Sequence, residues 1–86
     1  MEVEYKTKAL EDRKYWKEQG NIKIQNRISK LIKDICEHPF TGIGKPEPLK
    51  YELSGLWSRR ITGHDRIIYE VFEGKISIIS IKGHYL

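Results

Sequence analysis

The chain has 86 residues and a mass of 10.2 kDa, which predicts a single domain over residues 1–86 with one modest core. Its formal net charge is +4, from 16 basic and 12 acidic residues, a bias that permits a polyanionic partner without requiring one. The lone cysteine, Cys36, excludes an intrachain disulfide. No apolar run approaches the roughly 20 residues of a membrane span, and Met1-Glu2 does not begin a secretory signal. We therefore expect a cytoplasmic protein without a membrane partner.

The first predicted elements are a short strand and a helix. Residues 2–6 alternate apolar with charged side chains, which is typical of a strand with one covered face. Thr7 is a candidate N-cap for the helix that follows, because its hydroxyl can accept a hydrogen bond from the first helical turn. The helix is predicted to run to about Gln19 and to end at Gly20, since glycine readily adopts the left-handed conformation that terminates helices.

A second helix follows at once, with Asn21 as its candidate cap and Pro39 as its stop. Its apolar side chains recur at helical spacing and define one narrow stripe: Ile24, Ile28, Leu31, Ile32 and Ile35. Two helices with narrow stripes cannot form a stable bundle alone, so we expect a helical hairpin that covers one face of a sheet. Residues 38–48, which contain several glycines and prolines, are predicted to form a loop.

The second half of the chain predicts an antiparallel meander. Three strands are separated by turns at residues 63–65 and 73–74: Leu56–Thr62, Arg66–Phe72 and Lys75–Gly83. Leu49–Leu53 is a candidate for a further short strand. The predicted fold class is therefore α+β, with an N-terminal two-helix hairpin packed on one face of a twisted antiparallel sheet.

Alternation within the strands predicts which side chains share a face. One set is apolar and suited to contact the helices: Ile61, Ile67, Tyr69, Val71, Ile79 and Ile81. The opposite set is polar, cationic and imidazole-bearing: Ser58, Arg60, Arg66, Ser80, Lys82 and His84. The second set predicts a functional surface on the side of the sheet away from the helices.

These side-chain types suit the cleavage of an RNA phosphodiester by its neighbouring 2′-hydroxyl, which requires a base, cations and an acid. Glu47 is the candidate base, because Pro46 and Pro48 on either side restrict the backbone that carries its carboxylate. The simpler interpretation is a solvated loop glutamate, which is the commoner role of a single Glu.

Arg60 and Arg66 are the candidate phosphate-binding residues, because a guanidinium is always charged and matches phosphate oxygens in a fork. Lys50 and Arg59 are candidates to assist them in binding substrate. The alternative is that these arginines pair with acidic side chains such as Asp65. Arg59 lies on the apolar phase of its strand, so a structural role or a contact with a partner is favoured for it.

His84 is the candidate general acid, because an imidazole with the ordinary histidine pKa near 6.5 both holds and releases a proton at neutral pH. Tyr85 can stack on a base or contact a phosphate, and the alternative for it is aromatic packing at the chain end. The histidines and the cysteine lack metal-ligand spacing, so we expect neither a metal nor another cofactor.

Several motifs together carry a resemblance to a known family. Gly44–Lys50 reads Gly-Lys-Pro-Glu-Pro-Leu-Lys, and Ser54–Ile61 reads Ser-Gly-Leu-Trp-Ser-Arg-Arg-Ile. With Tyr15-Trp16, Leu31–Asp34 and the terminal His84-Tyr85, these motifs resemble the YoeB-type toxins of the RelE/ParE superfamily, over essentially the whole chain. The resemblance implies the α+β fold expected above. It also implies a toxin of a type II toxin–antitoxin pair, a ribosome-dependent, metal-independent endoribonuclease that cleaves mRNA in the decoding site and halts translation.

The resemblance also implies residue roles and partners. The family's general base falls on Glu47, its general acid on His84 and its catalytic tyrosine on Tyr85. Its phosphate-stabilising residues fall on three cationic positions: Lys50, Arg60 and Arg66. A YefM-like antitoxin, the ribosome with its mRNA, and a second copy of the chain are the implied partners. Two positions depart from the family pattern, since Gly83 replaces a frequent aromatic and Leu86 follows the usual terminal tyrosine.

Two other functions remain open at this point. The first is a non-catalytic toxin of the same fold, like the ParE branch that poisons DNA gyrase, although such a toxin needs neither the terminal His-Tyr nor a glutamate between prolines. The second is an RNA-binding module that inhibits translation without catalysis, which the basic side chains of the two helices permit.

Overall fold

A computed structural model describes residues 1–83, in which two helices cover one face of a five-stranded sheet. The elements follow one another in the order β1 Glu2–Tyr5, α1 Thr7–Gln19, α2 Ile22–Glu37, β2 Glu47–Pro48, a 3-10 turn Tyr51–Leu53, β3 Leu56–Arg60, β4 Arg66–Phe72 and β5 Lys75–Ser80. Within residues 1–83, neither helix is both long and apolar enough to cross a bilayer. The expected α+β class, with a helical hairpin on one face of a sheet, is confirmed.

The sheet is mixed, with strand order β1-β5-β4-β3-β2. The meander from β3 to β5 is antiparallel, as predicted, and β2 also pairs with β3 in the antiparallel direction. By contrast, β1 pairs with β5 in parallel, with Glu2 opposite Lys75 and Tyr5 opposite Ile78. The sheet that was expected to be antiparallel is therefore mixed, and the parallel pair lies at this edge. The connection between these two strands contains both helices and three further strands, which is long enough to permit parallel pairing.

The helix ends agree with the sequence at three of four sites, including the end of α2 at Glu37, just before Pro39. Asn21 caps α2, since its Oδ1 accepts a hydrogen bond from the backbone N of Ile24 at 3.1 Å. Gly20 ends α1 in a left-handed conformation, with φ of 69°. The predicted cap Thr7 is instead the first residue of α1, and Lys6 is the capping residue without a side-chain hydrogen bond.

The strand ends differ from the expected ones. The predicted loop 38–48 contributes Glu47 and Pro48 to the sheet as the edge strand β2. An edge is where prolines are tolerated, because they cannot donate to a ladder. The candidate strand Leu49–Leu53 is wrong, since this segment includes the 3-10 turn. Both β3 and β5 end before the predicted limits.

A β-bulge in β5 decides which of its side chains reach the core. Tyr69 pairs with Ile78 and Ile68 pairs with Ser80, so Ile79 has no partner in β4. Ile78 therefore lies in the core before the bulge and Ile81 lies in the core after it, whereas Ile79 is only half-buried. The expected core position of Ile79 was wrong. The core cluster draws on both helices and the central strands: Ala9, Trp16, Ile28, Leu31, Ile32, Ile35, Ile61, Ile67, Tyr69, Ile76, Ile78 and Ile81.

Candidate active site

The side of the sheet opposite the helices, which we call the open face, carries a row of laterally paired residues from four strands. Ser58 and Ile68 in the middle of the row are buried, whereas Glu47 at its edge is exposed. Glu47 pairs with Ser58, Ser58 with Ile68, and Ile68 with Ser80. Paired residues of neighbouring strands point to the same face, and the neighbours of Ile68 along β4 belong to the core on the helix side. The predicted polar phase of β3, β4 and the end of β5 is therefore confirmed at Ser58 and Ser80, and Glu47 lies beside it.

Arg60 and Arg66 occupy the next row of the open face. They are directly opposite each other in β3 and β4, which places their Cβ atoms about 5 Å apart. Glu47 is one diagonal step from Arg60, because its partner Ser58 lies two residues earlier in β3, and such diagonal neighbours are about 7–8 Å apart. The register that the sequence left undetermined thus brings a carboxylate and two guanidinium groups to one end of the open face.

The two arginines differ in their local contacts. Arg60 is exposed, and within residues 1–83 its guanidinium makes no hydrogen bond or ion pair. The Nη1 of Arg66 donates to the carbonyl oxygens of Thr62 at 3.1 Å and Asp65 at 3.2 Å, in the turn between β3 and β4. These contacts orient Arg66, and the part of the chain that the structure describes contains no ion pair between it and Asp65.

Lys50 lies beyond the end of β2, where it caps the 3-10 turn and is exposed. It lines the same hollow of about 290 Å³ as Glu47, together with the exposed Tyr51. The strand alternation alone would assign Lys50 to the other phase from Glu47, but the chain leaves the sheet at this point. A ligand in the hollow can therefore contact the carboxylate and the ammonium together.

Lys82 does not join this group of cations. Its Nζ lies 3.9 Å from the centroid of the Tyr15 ring, on α1, where a cation–π interaction holds it. The expectation that Lys82 projects from the open face was therefore wrong. His84 and Tyr85, the candidate acid and the candidate catalytic tyrosine, lie outside the described residues.

Arg59 has a structural role, and this corrects its assignment as a substrate-binding candidate. Its side chain is 0% exposed and pairs with Asp34, with 2.6 Å between Nη1 and Oδ2. Its remaining donors reach the Tyr69 hydroxyl and three backbone carbonyl oxygens, those of His38, Thr41 and Ile43. All five guanidinium N–H groups are therefore used inside the protein, and none remains for a phosphate.

This network, which we call the Arg59 hub, ties the loop after α2 to the sheet. Asp34 accepts from the backbone N of Ile43 at 3.1 Å, and the Tyr69 hydroxyl donates to the Pro39 carbonyl at 2.6 Å. The backbone N of Arg60 then donates to the Gly44 carbonyl at 2.7 Å. The loop is thus fixed along its length immediately before it delivers Glu47 to the edge of the sheet.

The hub sets the ionisation of its members. The hydrogen bond from Arg59 lowers the pKa of the Asp34 carboxyl below its ordinary value, against the opposing effect of burial. Burial raises the pKa of the Tyr69 hydroxyl, although the Arg59 bond partly offsets it. Sequence reasoning did not single out Asp34 or Tyr69. The usable signal was Arg59 on an apolar phase, because a buried guanidinium requires a carboxylate partner.

The chain matches a family model described as a YoeB-like toxin of bacterial type II toxin–antitoxin systems over residues 5–85. The chain belongs to the YoeB toxin family. Toxin YoeB of Escherichia coli K12 is 42% identical over 85 residues, which are 99% of this chain and 100% of that protein.

Solved YoeB structures agree with this family and with the fold. The YoeB–YefM complex from Staphylococcus aureus aligns with a TM-score of 0.86 and 41% identity, covering 99% of this chain and 98% of that one. The YoeB dimer from the same organism aligns with a TM-score of 0.87 and 40% identity over the same shares. As a YoeB family member, the chain is a toxin of a type II toxin–antitoxin system.

Proposed function

We propose that this chain is a ribosome-dependent endoribonuclease that cleaves mRNA in the decoding site and so inhibits translation. The observation that carries the proposal is the strand register, which brings Glu47 and the Arg60–Arg66 pair to one end of the open face. Membership of the YoeB family supports the same reaction class. We propose further that the toxin acts in the cytoplasm, where mRNA is translated.

Glu47 is the general base that removes the proton of the 2′-hydroxyl. The resulting oxygen attacks the adjacent phosphorus, the bond to the 5′-oxygen breaks, and a 2′,3′-cyclic phosphate forms. The rigidity of the approach to Glu47 supports this role, because the hub and the bond from Arg60 N to Gly44 O restrain the preceding loop. A held carboxylate avoids reorganisation during the reaction.

Arg60 and Arg66 stabilise the charge that builds on the phosphoryl oxygens. Two like charges directly opposite each other in adjacent strands destabilise a sheet, so the pair is better explained by an anionic ligand than by folding. A phosphate between the two guanidinium groups would relieve their repulsion and accept hydrogen bonds from both. Lys50 contacts the next part of the RNA backbone, since it shares the hollow with Glu47.

His84 is the general acid that donates a proton to the departing 5′-oxygen, and Tyr85 is a catalytic residue beside it. The resemblance of the terminal His-Tyr to the family motif supports both assignments. Gly83, directly before His84, accepts a hydrogen bond from the backbone N of Arg66 at 3.1 Å, so the chain enters this dipeptide beside a proposed phosphate-binding residue. The reaction then consists of one proton removed at Glu47 and one supplied at His84, and it needs no metal.

The partners are a YefM-like antitoxin, a second copy of the chain, and the ribosome with its mRNA. The first two rest on the solved YoeB–YefM complex and YoeB dimer of Staphylococcus aureus. The ribosome follows from the proposed reaction, because a small open face with few base-reading groups gains much from a surface that orients the mRNA backbone.

The test is primer extension on a translated mRNA in a reconstituted translation reaction. The wild-type chain should produce new 5′ ends at decoding-site positions, and Glu47→Gln and His84→Ala should each reduce their rate of appearance by at least a hundredfold. Glu73→Gln is the matched control, because Glu73 is an exposed carboxylate at the far end of β4 from Arg66. It should cleave like wild type.

This reaction, together with an assay of DNA supercoiling in cells, separates the other functions. Full-length mRNA with stalled ribosomes would reject the nuclease and identify a binding inhibitor. Unimpaired protein synthesis together with altered DNA supercoiling in cells would identify a gyrase poison instead. Full activity of both Glu47→Gln and His84→Ala, with cleavage intact, would refute the assigned roles while leaving the reaction class in place.

A further inference from the structure

The last described residues, 81–83, run beyond the end of β5, yet their backbone is held by three other elements. At Ile81, the backbone N donates to Asp12 Oδ2 at 2.8 Å and the carbonyl accepts from Trp16 Nε1 at 2.8 Å, both from α1. At Gly83, the backbone N donates to Asp65 Oδ1 at 2.9 Å and the carbonyl accepts from the backbone N of Arg66. Ile81 and Gly83 are thus each fixed through both the backbone N–H and the backbone carbonyl.

We call the hydrogen bond from the Gly83 backbone N to Asp65 Oδ1 the Asp65 clamp. Asp65 belongs to a turn with several internal hydrogen bonds. The Thr62 hydroxyl donates to Asp65 Oδ2 at 2.9 Å and accepts from the backbone N of His64 and of Asp65. The two carboxylate oxygens of Asp65 are therefore divided between its own turn and the C-terminal segment. A half-buried carboxylate that is bonded on both sides transmits the position of the turn to Gly83.

The same turn also orients Arg66, whose guanidinium bonds the carbonyls of Thr62 and Asp65. One residue of the turn, Asp65, therefore contacts both sides, because its backbone carbonyl accepts from Arg66 and its carboxylate accepts from Gly83. Gly83 has φ of 82°, a conformation that other residues rarely adopt. The Asp65 clamp fixes this otherwise permissive position, where a free glycine would leave the following dipeptide many directions.

We propose that Asp65 is a positioning residue, which holds Gly83 against Arg66 and so fixes the point from which the chain continues to the proposed general acid. The inference rests on the proposed nuclease function and adds to it a residue that touches no substrate.

The test compares Asp65→Ala with Asp65→Asn in single-turnover cleavage on ribosomes. The asparagine keeps an acceptor for the Gly83 N–H, whereas the alanine removes it. We expect Asp65→Ala to lower the maximal cleavage rate at least tenfold, while the half-saturating toxin concentration stays within twofold of wild type. For Asp65→Asn, we expect the maximal rate and the half-saturating concentration each to stay within threefold of wild type. Glu73→Asn, which removes a carboxylate from the turn at the other end of β4, should match wild type.

Three results would overturn the proposal. They are a wild-type maximal rate in Asp65→Ala, an effect confined to the half-saturating concentration, or an Asp65→Asn variant as slow as the alanine variant. Amide hydrogen exchange of Gly83 by NMR tests the clamp without catalysis and with the wild-type chain. If the Gly83 amide is protected in the wild-type chain and loses this protection in Asp65→Ala, the Asp65 clamp is supported. If the Gly83 amide is unprotected in the wild-type chain, the clamp is rejected, and this result does not depend on whether the alanine variant folds. If the wild-type chain cleaves no mRNA, the nuclease proposal fails while the exchange result still stands.

Discussion

The ion pair between Asp34 and Arg59 makes a quantitative prediction about stability. Asp34→Asn keeps the size of the side chain and one oxygen acceptor but removes the charge that balances Arg59. The Arg59 side chain is 0% exposed and that of Asp34 is 19% exposed. The substitution therefore leaves a buried guanidinium without its counter-ion, which is more costly than leaving out the pair altogether.

Removing one partner of a buried ion pair typically costs about 3–5 kcal/mol. The lower end applies here, because Arg59 retains bonds to Tyr69 and to backbone carbonyls and because Asp34 is partly exposed. We therefore expect the free energy of unfolding to fall by about 3 kcal/mol, out of roughly 4–13 kcal/mol for a domain of this length. The melting temperature should fall by about 12–24 °C, at about 4–8 °C per kcal/mol for a small domain.

The pH dependence of this loss has a definite sign. The pKa of Asp34 is lowered in the folded protein, chiefly by its hydrogen bond with Arg59. A carboxyl with a lowered folded pKa stabilises the protein above its unfolded pKa, near 4, and loses that contribution as the pH falls through the folded value. The stability difference between wild type and Asp34→Asn should thus be constant above about pH 5 and shrink as the solution is acidified below pH 4.

Urea denaturation followed by tryptophan fluorescence measures this difference, because Trp16 is buried and becomes exposed on unfolding. Glu4→Gln is the control, since Glu4 forms an ion pair with Lys6 in which both side chains are exposed. Its unfolding midpoint should match wild type. Equal midpoints for Asp34→Asn and wild type at pH 7, or a difference that persists unchanged to pH 3, would refute the account of the hub.

Three further variants test the separation of folding from function. Arg60→Ala should leave the unfolding free energy unchanged or raise it by up to roughly 0.5 kcal/mol, because it relieves repulsion with the opposing arginine. Cleavage of mRNA by this variant should fall. A loss of unfolding free energy above about 1 kcal/mol in urea titration would contradict this. Tyr69→Phe should cost about 1–3 kcal/mol by the same titration, since it leaves a carbonyl and a buried guanidinium without their partner, and a neutral result would argue against the hub. Gly42→Ala should lower the melting temperature more than Gly20→Ala. A Cβ at Gly42 would lie 2.0 Å from Asp34 Oδ2, whereas a Cβ at Gly20 would meet nothing within 4 Å. Equal melting temperatures for the two variants would contradict this packing.

Local sequence signals predicted the elements that depend on local physics. The isoleucine stripe of α2, its Asn21 cap and the Gly20 stop all describe interactions within a few residues, and each is found in the structure. The phase of β3 and β4 was equally reliable, because alternation requires only that a strand remain regular. These signals sufficed for the fold class and for placing Arg60 and Arg66 on the same face, whereas their direct pairing came from the structure.

Irregular features and long-range pairings could not be predicted from local sequence patterns. The bulge at Ile79 breaks the alternation of β5, so the phase read backwards from Ile81 assigned the wrong isoleucine to the core. The two-residue strand β2 is too short for an alternation pattern, and it is defined by its partner Ser58. The parallel pairing of β1 likewise depends on how the helices return the chain to β5.

The two neighbouring arginines of β3 show how the structure divides stability from function. Arg59 points to the helix side, where every donor is used to fix the loop that leads to Glu47. Arg60 points to the open face, opposite a like charge, where it contributes nothing to folding that the structure reveals within residues 1–83. If this division holds, variants of Asp34 and Arg59 should lose activity in proportion to their unfolding. Variants of Glu47 and Arg60 should lose activity at full stability, and urea titration beside cleavage assays separates the two groups.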